Sequence, residues 1–167
     1  EEMELNHFLA ENSVEALESD LGEYIIQVDH ELPSHIIMPA IHKNREEISE
    51  VFQKKVAPAK KSDTAEEMTE TARQVLRDKF RRAELGISGV NFAVAETGTL
   101  CLVENEGNGR FCSTMPRVHI ALMGIEKVVG KLEDLPPLLT VLTRSATGQP
   151  ITTYFNMISS PRQEGEK

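Results

Sequence analysis

The sequence predicts an α/β fold, a sheet flanked by helices, and three observations lead there. Segments with apolar residues at helical spacing alternate with short apolar runs of β character. Polar, glycine-bearing stretches separate those runs, as connections between strands and helices should. A length of 167 residues with 40% hydrophobic content supports one substantial core but not two full domains. Residues 1–160 are therefore expected to form one domain, with 161–167 a polar tail or the start of a linker.

Leu5, Phe8 and Leu9 share one helical face, Asn12 and Ser13 end that segment, and residues 14–18 are expected as a strand. Asp20 followed by Glu23 has the chemistry of a helix cap and its third residue, and Leu21, Tyr24, Ile25 and Val28 continue at helical spacing. Residues 34–39 are apolar and end at Pro39, which predicts a buried strand. Asn44 then opens a helix with Ile48, Val51, Phe52 and Val56 inward. The lysine-rich residues 54–63 are expected as a linker. Thr64 and Glu67 form a capping box for a long helix, in which Ala65, Met68, Ala72, Val75, Leu76, Phe80 and Ala83 recur until Gly86.

Two β runs, 90–95 and 99–104, are joined by a short glycine-bearing turn, which predicts a hairpin. A polar loop follows at 105–110, then a further buried strand at 117–124. Leu132, Leu135, Leu138, Leu139 and Leu142 mark a helix, with Pro136 and Pro137 in its first turn, where a missing N–H does no harm. Residues 151–158 are the last strand.

Charge narrows the partners. The formal net charge of -9 disfavours a nucleic-acid binder, although a few basic groups and backbone N–H groups can still hold a small anion. No apolar stretch is long enough to span a bilayer, and residues 1–4 lack the basic and apolar regions of an export signal, so the expected location is cytoplasmic. Self-association into a homo-oligomer is compatible with the composition. Two cysteines, Cys101 and Cys112, are too few for a disulfide scaffold or an iron–sulfur cluster, and no histidine pattern signals a metal site. The dinucleotide-binding glycine fingerprint, the phosphate-binding loop and the Gly-x-Ser-x-Gly elbow are absent.

Three polar segments carry the chemistry. The first is Glu96, Thr97, Gly98 and Thr99, where a carboxylate and two hydroxyls flank a glycine; an ordinary hairpin turn fits it equally well. The second, residues 104–110, contains Asn105, Glu106, Gly107, Asn108 and Arg110, able to orient a carboxylate or phosphate through the guanidinium, or simply a surface loop. The third, Ser145, Thr147, Gly148 and Gln149, is readable as an anion-binding nest of N–H groups or as a helix ending on Gly148. His35 and His119 fall in apolar runs and are expected in the core, while His42, just before a helix start, reads equally as a base or ligand and as a cap-region surface residue. Cys101 is expected to be a buried small hydrophobe, and Cys112, beside the polar loop, is weighed as an accessible thiol against the commoner buried one.

Taken together, residues 20–25, 33–43, 86–99, 103–108 and 144–150 closely resemble the lactate-utilisation protein B family. The likeness runs in order from about Glu2 to Arg162. It implies a LUD domain with an isomerase/CoA-transferase-like three-layer fold, begun after the family's first helices and an early strand. It also implies part of a lactate-oxidising oxidoreductase system that converts L-lactate to pyruvate with two companion proteins. The [4Fe–4S] clusters of that electron-transfer subunit are implied in a further region, not in these residues, which alone would be inactive. The resemblance groups the three polar segments into one pocket for a small anionic ligand or partner. The alternative is an autonomous acyl/CoA-transferase-like or sugar-phosphate-acting enzyme that uses Glu96.

Overall fold

The computed structural model of the chain describes residues 5–56 and 64–161. Most of the lysine-rich linker and the tail beyond Pro161 lie outside the described residues. The chain divides into two compact units, Glu1–Lys79 and Phe80–Lys167.

The first unit is helical. Helix α1 (Leu5–Glu11) is followed by an irregular segment, where a strand was expected at 14–18. The polar groups there are met by a side chain instead of a sheet ladder: the Glu18 N–H donates to Gln27 Oε1 at 2.9 Å, and Gln27 Nε2 donates to the Ala16 carbonyl at 2.9 Å. Helix α2 (Leu21–Asp29) starts as its sequence requires, with the Asp20 carboxylate accepting from the N–H groups of Gly22 and Glu23. Helix α3 (Arg45–Val51) has the reciprocal Asn44/Glu47 capping box and runs on as a π-turn through Phe52–Val56. Helix α4 (Ala65–Arg82) carries the Thr64/Glu67 box, with the Glu67 N–H donating to Thr64 Oγ1 at 3.2 Å. Ile25, Phe52, Met68 and Ala72 form the core, with Leu21, Ala40, Ile48 and Val56 packed against it.

The segment 34–39 is not the buried strand its apolar content predicts. It is a loop with Ile36 83% and Met38 51% exposed, and His35 lies exposed on it, outside any core. The loop closes on itself: the Ser34 N–H donates to the Pro39 carbonyl, and the Ile37 and Met38 N–H groups donate to His35 Nδ1, each at 3.1 Å. With those groups satisfied locally, no neighbouring strand is needed.

The second unit carries the strands, and they form two sheets where one was expected. Strands β1 (Leu85–Gly89) and β4 (Val118–Leu122) pair in parallel. β4 alternates exposed and half-buried, so it is not the fully buried strand expected at 117–124. A four-stranded mixed sheet runs in the order β5-β2-β3-β6, from β2 (Phe92–Val94), β3 (Thr99–Glu104), β5 (Val128–Val129) and β6 (Tyr154–Ile158). The expected hairpin is β2–β3, with Val94 opposite Thr99. The polar loop stops at residue 107, because helix α5 (Asn108–Thr114) follows. Helix α6 (Leu135–Thr147) accommodates its prolines in the first turn and lays Leu135 and Leu139 on Val94 and Cys101 of the sheet. Among the described residues, no helix is long and apolar enough to cross a membrane.

Candidate functional site

The densest polar arrangement of the second unit centres on Glu104, the last residue of β3. Its Oε1 accepts from the Arg110 N–H at 3.0 Å and from Asn156 Nδ2 at 2.6 Å, and its Oε2 accepts from the Gly109 N–H. Gly107 makes this possible: at φ 84 it turns the chain so that the first turn of α5 faces back onto the strand end. Asn156 reaches the carboxylate from β6, which runs antiparallel to β3 with Glu104 opposite Tyr154. A negative carboxylate at a helix start complements the dipole there.

Glu104 thereby fills the place a bound anion would take. An anion seeking the N–H groups of Gly109 and Arg110 would have to displace a covalently tethered carboxylate. What the site still offers is the Arg110 guanidinium, exposed and lying 5.4 Å from the Tyr154 ring centroid and 5.5 Å from that of Phe111. The two ring faces hold the cation in position without consuming its donors.

The second and third polar segments meet at this end of the sheet. Asn105 Nδ2 donates to Gln149 Oε1 at 3.4 Å, Thr147 Oγ1 donates to the same oxygen at 2.7 Å, and the Thr153 N–H donates to Asn105 Oδ1 at 3.4 Å. Ser145 and Thr147 belong to the last turn of α6, which Gly148 closes in the left-handed conformation, its N–H donating to the Arg144 carbonyl at 3.1 Å. This is the helix-ending arrangement, and it replaces the anion-binding nest: a helix C-terminus presents carbonyls and negative potential. Glu106 is exposed in the second segment, and Asn108 begins α5.

The first polar segment does not join them. Gly98, at φ 69, donates its N–H to the Val94 carbonyl at 2.8 Å, and Thr97 Oγ1 donates to Thr99 Oγ1 at 2.7 Å, with Ser159 Oγ 3.1 Å away. Thr99 opens β3 and Glu104 closes it, so strand rise alone puts about 17 Å between the Glu96 turn and the Arg110 end. The expected single pocket of three segments is therefore corrected to a cluster of two, with exposed Glu96 at the opposite end of the strand. Glu104, Asn156 and Tyr154 were missed as a group; the signal for them was a glutamate ending an apolar strand just before a glycine-rich helix start.

His119, half-buried on β4, lies 2.7 Å from Ser88 Oγ, and burial pushes its pKa down. Cys101 is fully buried on β3, and burial pushes its thiol pKa up. Cys112 is buried as well, which corrects the accessible-thiol alternative. Among the described residues, no group of three or more His, Cys, Asp or Glu side chains could hold a metal ion.

Residues 3–167 match the family described as LUD domain. The chain is 47% identical over 167 residues to lactate utilization protein B of Bacillus velezensis, covering 99% of this chain and 35% of that protein. It is 51% identical over 166 residues to the protein of the same name from Bacillus thuringiensis and to lactate utilization protein B 2 of Bacillus mycoides, again covering 99% of this chain and 35% of each. The chain thus spans about a third of the length of the curated relatives it matches. A crystal structure of a DUF162 family protein from Deinococcus radiodurans aligns with 49% of this chain and 47% of its own, at 23% identity and a TM-score of 0.36.

Proposed function

The chain belongs to the LUD domain family, and from that premise we propose that it serves L-lactate utilisation as the LUD part of an iron–sulfur, electron-transfer protein acting in the oxidation of L-lactate to pyruvate. The observation that carries this reading is 47% to 51% identity, over 99% of the chain, to proteins named for lactate utilisation. In this reading the protein works in the cytoplasm with two companion proteins. The accompanying fold is the isomerase/CoA-transferase-like three-layer arrangement, supported by the mixed strands and helices of the second unit.

The donor set of these residues does not fit an iron–sulfur cluster. Such clusters use about four cysteine thiolates, whereas this sequence has Cys101 and Cys112 only, both buried. No step is therefore assigned to a cluster within residues 1–167, and the proposed [4Fe–4S] centres belong to other parts of the parent protein.

The part proposed for these residues is recognition of a small carboxylate or of an anionic group on a partner. Arg110 supplies the charge, and the Asn105 and Gln149 amides, bonded to each other at the same end of the sheet, supply orientation. Glu104 keeps the N–H groups of Gly109 and Arg110 engaged, so selectivity arises at the guanidinium and not at the helix start.

The test is genetic. In the host, removing the coding region for residues 3–167 should abolish growth on L-lactate as sole carbon source, while growth on pyruvate continues. Arg110→Ala should weaken lactate growth while the protein remains at its normal level. Undiminished growth of the deletion strain on L-lactate would overturn the proposal.

A further inference from the structure

The loop between α2 and α3 holds an alcohol, an imidazole and a carboxylate in one line. Ser34 Oγ lies 2.7 Å from His42 Nδ1, and His42 Nε2 lies 2.8 Å from Glu31 Oε2. Self-closure of the loop by the Ser34 N–H to Pro39 carbonyl bond brings Ser34 and His42, eight residues apart, into contact.

Each partner has a reason for its state. Glu31 Oε1 is 2.9 Å from Lys43 Nζ, and Lys43, 7% exposed at its side chain, is also 2.6 Å from Asp29. Bonds from His42 and then from Lys43 hold the Glu31 carboxyl below its usual range, so it remains an ionised acceptor. An ionised acceptor at Nε2 places the proton on that nitrogen and leaves the Nδ1 lone pair facing Ser34. The serine hydroxyl has one proton and two candidate acceptors, His42 Nδ1 at 2.7 Å and the Pro39 carbonyl at 3.3 Å; the shorter contact wins.

We propose that Ser34 is an activated nucleophile, with His42 as its general base and Glu31 as the carboxylate that orients the imidazole, and that it acts on esters or thioesters with an apolar acyl part. The acyl preference follows from Ile36, Ile37 and Met38, which are exposed on the same loop. The Ser34 Oγ–carbon bond forms as the hydroxyl proton passes to His42 Nδ1. Collapse expels the alcohol or thiol, which takes that proton and leaves Ser34 acylated. Water then adds to the acyl carbon, its proton going to His42, and the acid departs as Ser34 regains a proton.

The imidazole ring is turned over relative to the best-known serine hydrolase arrangement, with Nδ1 toward serine, but either nitrogen can accept a proton. The Ser34 N–H is committed to Pro39, so it is not an oxyanion donor, and the acceleration is that of general-base activation, about 10²-fold to 10⁴-fold.

The experiment compares the whole chain with a synthetic peptide of residues 31–43, using a fluorophosphonate probe and p-nitrophenyl butyrate, with peptide mapping by mass spectrometry. The expected result is an adduct on Ser34 forming at least about 10²-fold faster in the folded chain than in the peptide. Ser34→Ala should abolish it and His42→Asn should slow it by a similar factor, in variants whose circular dichroism matches the parent. Labelling of Ser34 no faster than in the peptide, or labelling confined to other residues, would overturn the proposal. A Ser34→Ala variant that loses thermal stability while the parent shows no adduct would establish a mere loop fastening instead. The peptide comparison keeps the outcome decisive even where a variant fails to fold.

Discussion

Replacing Gly86 by alanine sets two opposing terms against each other, and the structure fixes which is larger. Gly86 lies on β1 opposite His119, with α5 across it. A Cβ built there overlaps the Cys112 carbonyl oxygen, lies 2.9 Å from the carbonyl carbon and reaches 3.2 Å from Pro116 Cγ. The obstruction is mostly backbone, in a helix whose start is tied to β3 by Glu104, so α5 must shift off the strand. Overpacking of this kind costs about 1–3 kcal/mol, against a gain of about 0.4–1 kcal/mol from the less flexible unfolded chain. Because the overlap is with backbone, the cost lies in the upper part of that range, about 2–3 kcal/mol, which leaves a net loss of about 1–2.5 kcal/mol, or roughly 2–10 °C in Tm for a chain of this length. Gly89, three residues on, is the control: a Cβ there meets nothing within 4 Å and the residue needs no positive φ, so Gly89→Ala should hold or raise Tm. Thermal melts followed by circular dichroism, with amide exchange across α5, provide the assay. A Gly86→Ala protein as stable as the parent would refute the close approach of β1 to α5.

Phe52→Ala, at a residue 1% exposed in the first unit's core, should cost about 3–5 kcal/mol, measured by urea unfolding; a loss below 1 kcal/mol would deny it a central place. Bonds from Lys43 and then Lys55 hold the Asp29 carboxyl at about 2 against an ordinary 3.8. A depressed folded value gives stability that is present above the unfolded value and lost as pH falls through about 2, so Asp29→Asn should flatten stability between pH 4 and 2; an unchanged acid profile would contradict this. Glu104→Gln removes charge from an acceptor of three N–H groups and should cost about 1–3 kcal/mol. Amide exchange at Gly109 and Arg110 should quicken with it, and unchanged exchange would count against Glu104 as the fastener of α5.

Local chemistry was legible in the sequence, and distant partnership was not. Asp20, Asn44 and Thr64 mark helix starts because a capping side chain acts on an N–H two or three residues away. The β2–β3 hairpin was readable because its turn lies between its strands. Residues 34–39 misled because an apolar run ended by proline says nothing about whether its N–H groups will find a strand; here His35 and Pro39 satisfied them. β1 escaped notice because Gly86 and Gly89 leave Leu85 and Ile87 as its only large apolar residues. α5 escaped because its start is fastened by Glu104, which lies before the helix and outside the usual capping positions.

The candidate site follows from the same limit. Three hydrophilic segments looked alike in composition, and only the register of β3 against β6 tells them apart, with Leu100 opposite Ile158 at one end and Glu104 opposite Tyr154 at the other. Strand geometry then acts as a ruler: about 17 Å is too long for one small carboxylate to touch both ends. Charge decides between them. The Glu96 end offers an exposed carboxylate beside two threonine hydroxyls, which repels an anion. The other end holds Arg110 against two aromatic rings, while Glu104 neutralises the helix start behind it. The proposed anion recognition is therefore assigned to the Arg110 end, so Glu96→Gln should leave binding unchanged while Arg110→Ala weakens it; isothermal titration with L-lactate reads both. Equal losses in the two variants would mean that the ends communicate through β3, and the assignment to a single end would fall.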